Sequence, residues 1–160
     1  MKKHINQINQ RIRICLSEIG MHSPSAERLI LGTGAIESRY QYLRQYPSGI
    51  ARSYWQIETA TCLDNIKNYL VYRKSKLKKI ADSCMVTTDT ILKLDKNTAP
   101  KLLEINLHFA ISNARIKYYR VPKKLPDEDD IEGLGQYYIK YYNAGGKSTM
   151  KKWMDAQKLL

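Results

Sequence analysis

The sequence predicts an all-α protein that forms a single domain over residues 1–160. Apolar residues recur at steps of three and four along most of the chain, which is the spacing of one face of an amphipathic helix. Helix start and stop signals, such as Ser23-Pro24 and Gly20, bound these periodic segments. No internal repeat, low-complexity tract or linker divides the chain, so we expect one helical domain.

The predicted helices follow one another with short connections. The first carries the apolar stripe Ile5 to Ile19, and the second begins at Ser23-Pro24 and ends near Ser38–Tyr40. The remaining predictions are a loop over Tyr42–Ser53, a helix over Thr59–Tyr72, two short helices within Lys76–Leu94 with Thr88 capping the second, a long helix from Asn97 to Tyr119, a loop over Val121–Asp130, a helix over Asp130–Tyr142, and a last helix through Met150 and Met154 capped by Ser148 or Thr149.

Composition limits the classes of partner. The 27 Lys and Arg against 15 Asp and Glu give a formal net charge of +12, which favours a polyanionic partner such as nucleic acid, an anionic membrane or an acidic cell wall. Cys15, Cys62 and Cys84 have no metal-ligand spacing, and we expect reduced core residues. The chain has no run of about 18 apolar residues, so we expect no membrane span. No apolar run follows the basic residues at its start, so we expect no secretory signal.

Three short motifs contain residue types suited to glycan chemistry. Glu37-Ser38 lies at the end of an apolar helix, and Ser53–Thr61 (SYWQIETAT) leads from a loop into the next helix. Near the C-terminus, Tyr141–Gly146 (YYNAGG) precedes a helix that bears Trp153. A carboxyl in apolar surroundings has a raised pKa and can act as the general acid of glycosidic cleavage. Glu37 is therefore the best candidate for this role.

In order and spacing, these motifs resemble the lysozyme-like catalytic domain of the soluble lytic transglycosylases. The sequences of residues 42–61 and 115–126 also look like those of phage-encoded, virion-associated members. The resemblance covers residues 26–61 and 131–154, and it leaves residues 64–130 as a helical insertion. It implies cleavage of the MurNAc–GlcNAc strand of peptidoglycan without metal or cofactor, by a protein that lacks a signal and is carried in the virion.

The resemblance also implies roles for individual residues. Glu37 would be the catalytic acid and base, and a transglycosylase needs only this one carboxylate. The expected substrate-binding residues are Ser38, Tyr54, Gln56, Tyr142 and Asn143. A hydrolytic lysozyme would need a second carboxylate, for which Glu58 and Asp64 are the nearby candidates.

Two alternatives from other functional classes stay open. Ser53 stands where the family has Gly, and Glu58-Thr59 stands where it has an apolar residue and Pro. These departures favour a virion structural or assembly protein, with other virion proteins or further copies of itself as partners. The least favoured alternative is a small DNA-binding protein, because Lys76–Leu94 is basic and loosely resembles a helix-turn-helix.

Overall fold

The computed structural model describes residues 2–47 and 49–160, and it confirms the all-α prediction. The described residues form no strand, and their only bridges are Arg44 with Arg52 and Arg52 with Ile57. Met1 and Ser48 lie outside the described residues, so the predicted loop over 42–53 is described apart from residue 48. The helices are α1 (Lys2–Glu18), α2 (Pro24–Ser38), α3 (Thr59–Lys67), a short 3-10 helix (Leu70–Tyr72), α4 (Lys74–Ser83), α5 (Thr88–Leu92), α6 (Ala99–Ile105), α7 (Leu107–Tyr119), α8 (Ile131–Tyr141) and α9 (Met150–Gln157).

Both ends of α2 follow from local chemistry. Ser23 caps the start, because its side-chain oxygen accepts a hydrogen bond from the Ala26 amide at 3.1 Å. The helix ends at Ser38 because Arg39 and Tyr40 both adopt left-handed backbone conformations, with φ of 52° and 56°. Two such residues in succession cannot continue a right-handed helix. This abrupt end fixes the position of Glu37, one residue earlier.

Three boundary predictions are wrong. The helix predicted over residues 59–72 ends at Lys67, and a separate 3-10 turn follows. The long helix predicted from residue 97 to 119 is broken at Asn106, whose side chain accepts a hydrogen bond from the Phe109 amide and so starts α7 afresh. Thr87, rather than Thr88, caps α5 by accepting from the Thr90 amide at 3.0 Å.

Helix α7 lies at the centre of the molecule. It packs against α1, α2, α3, α4 and α6, and Phe109, Ile111 and Ile116 on it are fully buried. Residues from the two motif-bearing parts and from the segment 64–130 belong to one hydrophobic core. The segment between the motifs therefore supplies the most central helix of the core.

The indole ring of Trp153 joins three helices. It is 1% exposed, and its Nε1 donates a hydrogen bond to the Ile131 carbonyl at 2.8 Å. The ring occupies the space that Gly32 of α2 and Gly135 of α8 leave open. Trp55 has a similar anchoring role, because it is fully buried and donates through Nε1 to the Ile30 carbonyl at 2.8 Å. Both tryptophans are core residues.

The burial of the cysteines agrees with the sequence prediction. Cys15, Cys62 and Cys84 are buried and unpaired, and burial raises the pKa of Cys15 to about 11 and of Cys62 and Cys84 to about 12. Thiols held in this form are poor nucleophiles and metal ligands.

No helix in the described ranges is both long and apolar enough to cross a bilayer.

We predict that Gly32→Ala destabilises the protein although Ala is the better helix former by about 1 kcal/mol. A Cβ atom at position 32 would lie 2.5 Å from the Trp153 ring, so the ring must move. Overpacking of this kind costs about 1–3 kcal/mol. Urea unfolding measures the effect, and Gln136→Ala, at an exposed position on α8, is the control. Equal or greater stability of Gly32→Ala would contradict the packing described for Trp153.

Candidate active site

Glu37 is a partly buried carboxylate in the last turn of α2. Its Oε1 accepts a hydrogen bond from the Tyr138 hydroxyl at 2.7 Å. Burial raises the pKa of the Glu37 carboxyl, whereas Tyr138, the charge of Lys117 and the side chain of Asn143 lower it, and the net shift is upward. A carboxyl with a raised pKa retains its proton to higher pH, as a general acid requires.

Helix α8 supplies the hydrogen-bond donor to Glu37. Tyr138 is fully buried, and its ring stacks on Trp153 with the ring centroids 5.3 Å apart. Its hydroxyl also lies 3.0 Å from the Ser148 hydroxyl. Because Tyr138 donates its proton to Glu37, its oxygen is free to accept one from Ser148. This short chain of hydroxyl groups orients the carboxylate.

Lys117 of α7 is the cation of the site. Its Nζ donates to the Tyr142 carbonyl at 2.6 Å and lies 4.1 Å from the centroid of the Tyr142 ring. Burial lowers the pKa of Lys117, while the charges of Glu37 and Glu58 raise it, and the net shift is downward. Lys117 therefore couples electrostatically to carboxylates on both sides of it.

The loop that carries Gln56 has a strained backbone. Ser53 and Gln56 have φ of 67° and 46°, in the left-handed region that favours glycine. Reciprocal backbone hydrogen bonds between Arg52 and Ile57, at 2.9 and 2.8 Å, close the loop around them. The Gln56 side chain donates to the Ser53 carbonyl at 2.7 Å. Such strain persists only where the surrounding structure enforces it, and it is concentrated at functional sites.

Tyr142 and Asn143 connect α8 to this loop. The Tyr142 ring is 6% exposed, and its hydroxyl donates to the Trp55 carbonyl at 2.8 Å. The Asn143 side chain accepts a hydrogen bond from the Ser148 amide at 3.3 Å and borders the Glu37 carboxyl. A side chain at Gly146 would collide with Asn143, so the glycine allows this turn to close.

A polar cavity of about 250 Å³ lies beside these residues. Gln56 and Tyr142 line it together, and Glu58, Asn113 and Lys117 line it as well. Glu37 is not among its lining residues. The cavity and the carboxyl are linked through Lys117, whose charge acts on Glu37 and whose side chain borders the cavity.

Asn143 is not among the residues that line this cavity, and neither are two other predicted substrate-binding residues, Ser38 and Tyr54. Ser38 is 3% exposed, and its hydroxyl donates to the Gly34 carbonyl at 3.2 Å and accepts from the Tyr40 amide at 3.1 Å. Both bonds stabilise the end of α2. Tyr54 is partly buried and packs edge-on against Tyr40, with the ring centroids 5.4 Å apart. The geometry gives both residues a structural role.

The candidates for a second carboxylate differ in their surroundings. Asp64 pairs with Arg120 and accepts from the Asn68 amide group at 2.7 Å, and these contacts lower its pKa. Glu58 lines the polar cavity with Lys117. Glu58 is therefore the better placed of the two. Within residues 2–47 and 49–160, His, Cys, Asp and Glu side chains form no group of three that could hold a metal ion.

Sequence reasoning missed Tyr138, Lys117 and Ser148. Tyr138 precedes Tyr142 by one helical turn, so the two share a face of α8, and this spacing was a usable signal. Lys117 had no comparable signal, because only the packing of α7 brings it to Tyr142. Ser148 was considered as a helix cap, a role that Thr149 performs by accepting from the Lys152 amide at 3.3 Å.

We predict that Tyr138→Phe raises the pKa of Glu37 further. The substitution keeps the ring stacked on Trp153 but removes the hydroxyl that favours the ionised carboxylate. A carbon-13 NMR titration of the Glu side-chain carboxyls measures the pKa directly and needs no activity. Tyr141→Phe, on the same helix, should leave it unchanged. An unchanged or lower pKa in Tyr138→Phe would contradict the hydrogen bond.

We also predict that Glu37→Gln stabilises the protein at about pH 7 and that this gain shrinks toward about pH 4. The folded pKa of Glu37 is raised, so its contribution to stability is lost as pH rises through that value. A neutral Gln avoids this loss of stability and can still accept a hydrogen bond from Tyr138. Thermal unfolding at both pH values measures the stability difference between the variant and the wild type.

Glu128→Gln is the matched control for charge. The protein carries a net charge of +12, so removing an exposed negative charge should leave its stability unchanged or slightly lower it. A Glu37→Gln variant that behaves like Glu128→Gln would identify Glu37 as an ordinary solvated carboxylate.

Comparisons of the chain with protein-family models, curated proteins and solved structures gave no match. The lysozyme-like family therefore stays a prediction from the three motifs. The contacts around Glu37, and the cavity that Gln56 and Tyr142 share, are the structural observations from which a function can be inferred.

Proposed function

We propose that the protein is a phage virion-associated enzyme that cleaves the glycan strand of peptidoglycan, with Glu37 as acid and base. The observation that carries this proposal is the state of Glu37. It is a partly buried carboxyl with a raised pKa, held by Tyr138 and subject to the charge of Lys117, which also lines a polar cavity. Its two companion motifs converge on that cavity through Gln56 and Tyr142.

The chemistry needs one carboxyl in two protonation states. Protonated Glu37 gives its proton to the glycosidic oxygen as the bond from this oxygen to C1 breaks. The ionised carboxylate then takes the proton of the sugar's own 6-hydroxyl, whose oxygen bonds to C1 and forms the anhydro ring. Glu37 ends protonated, and no water is consumed. Tyr138 and Lys117 stabilise the carboxylate that exists between these two steps.

The polar cavity that Gln56 and Lys117 line is suited to hydroxyl-rich ligands. Its lining combines amide, carboxylate and ammonium groups from Gln56, Asn113, Glu58 and Lys117, which can donate to and accept from sugar hydroxyls. The net charge of +12 would draw the protein to an acidic cell wall. This attraction is screened by salt, so it acts on encounter more than on chemistry.

A second candidate is a virion structural protein that keeps the fold without efficient catalysis. Two observations favour it. The Tyr142 hydroxyl donates to the Trp55 carbonyl. The Gln56 side-chain amide donates to the Ser53 carbonyl at 2.7 Å and to the Tyr42 carbonyl at 3.4 Å, so these donors are already engaged in this conformation. Glu37 is also absent from the lining of the polar cavity.

DNA binding through Lys76–Leu94 has less support. Helix α5 has five residues, which is shorter than a recognition helix that enters the major groove. Two of the basic residues in this region, Lys78 and Lys93, pair with Asp82 and Asp89. These pairs reduce the positive charge that a phosphate backbone would meet.

We predict that Glu37→Gln lowers the rate of glycan cleavage by about 10² to 10⁴-fold, the usual contribution of a general acid. Turbidity loss of purified peptidoglycan measures the rate, and Glu128→Gln is the control, because it removes an exposed carboxylate outside the site. Equal clearance by wild type and Glu37→Gln would refute the assignment of Glu37. A wild-type protein that folds but clears nothing would support the structural role.

Product analysis tests the one-carboxylate mechanism separately. Mass spectrometry should find anhydro ends on the released fragments. Hydrated ends would instead indicate hydrolysis, with Glu58 as the second carboxylate, and Glu58→Gln would then abolish activity.

A further inference from the structure

A second cavity lies on the opposite side of α7 from the site around Glu37. It has a volume of about 380 Å³, and Ser23 and Ser25 at the start of α2 form one wall. Arg115 and Tyr119 near the end of α7 form another, and Lys123 and Lys124 from the following loop border it. Arg115 and Lys117 are two residues apart on α7, so they point to opposite faces of that helix.

Arg115 is a buried cation without an acidic partner. It is 7% exposed, and its Nε donates to the Met21 carbonyl at 3.1 Å. Its guanidinium carbon lies 5.0 Å from the centroid of the Tyr119 ring. The two terminal nitrogens have no hydrogen-bond acceptor in the described part of the chain, and no carboxylate there pairs with Arg115. The terminal nitrogens are not fully buried, so an anion that enters the cavity can reach them.

The start of α2 adds further donors to the same cavity. Helix α2 has 15 residues, so the positive end of its dipole is fully developed. Ser23 caps the Ala26 amide, and the Ser23 carbonyl accepts from the Glu27 amide. The Ser25 amide has no acceptor among the described residues. Its N–H and hydroxyl therefore remain available to an anion.

No acidic residue lines this cavity, whereas three cations do. Arg115, Lys123 and Lys124 together carry a charge of three, which suits a phosphate dianion better than a single carboxylate. A guanidinium with two free nitrogens is also the donor that binds phosphate in a fork. The rest of the wall is aromatic and apolar, and it includes Tyr137 and Leu125.

From these contacts we infer that this cavity binds a phosphate monoester, whose phosphate lies between Arg115 and Ser25 and whose organic part packs against Tyr137 and Leu125. The inference does not depend on the function proposed for Glu37. The cavity is larger than one phosphate ion needs, so the wall of Tyr137 and Leu125 is expected to select esters that carry a ring.

The test is an NMR titration of the full chain with inorganic phosphate, phenyl phosphate and acetate at constant ionic strength. We expect saturable one-to-one binding of phenyl phosphate, with shifts of the Ser25 amide and the Arg115 Nε–H. Inorganic phosphate should bind more weakly, because it lacks the ring, and acetate should not saturate. Failure of phenyl phosphate to saturate, or equal binding of acetate, would overturn the inference.

Variants locate the binding. Arg115→Gln should weaken phenyl phosphate binding by about tenfold or more, since it removes a charge-assisted hydrogen bond. Lys123→Gln with Lys124→Gln should also weaken it, and both side chains are exposed, so this double variant serves even if Arg115→Gln fails to fold. The control is Lys101→Gln with Lys151→Gln, which removes the same charge from other exposed positions. Equal weakening by the control, or no weakening by the Lys123 and Lys124 variant, would refute the site.

Discussion

The packing of Trp153 between two glycines is the contact on which the geometry around Glu37 depends. Gly32 of α2 and Gly135 of α8 each leave room for the indole ring, which brings both helices against α9. Tyr138 lies one turn beyond Gly135 and stacks on the same ring. Its hydroxyl therefore reaches Glu37, which lies five residues beyond Gly32 on α2. Tyr138 and Glu37 are 101 residues apart in sequence, and the packing of the Trp153 side chain brings them together.

Helix α7 gives the molecule two different polar faces. It is the most buried helix, yet Lys117 and Arg115 extend from it in opposite directions, each with a depressed pKa because burial disfavours its charge. The difference between them lies in their partners. The charges of Glu37 and Glu58 act on Lys117, whereas only tyrosines act on Arg115. Lys117 therefore has acidic neighbours within the fold, and Arg115 has none among the described residues.

The sequence predicted elements whose signals are local and missed those that tertiary contacts decide. The Ser23 cap and the end of α2 were predictable, because they depend on a few adjacent residues. The break at Asn106 was not, because this side chain also donates to the Cys84 carbonyl at 2.9 Å, a contact that no local pattern shows. In the candidate site, the motifs nominated Gln56 and Tyr142, which do share a cavity. Lys117 could not be nominated, since its position follows from where α7 packs.

Burial and the neighbouring groups shift the pKa of Glu37 in opposite directions, and this combination suits the carboxyl to the proton transfer proposed for it. Burial alone would keep the carboxyl neutral over a wide pH range, and such a group gives up its proton reluctantly although its carboxylate takes one back readily. Tyr138 and Lys117 favour the ionised form, and both are held in place by other contacts, Tyr138 by stacking on Trp153 and Lys117 by the Tyr142 carbonyl. A carboxyl stabilised in both states can act first as acid and then as base. A carboxylate that served only to end a helix would need neither partner, because solvent would stabilise its charge.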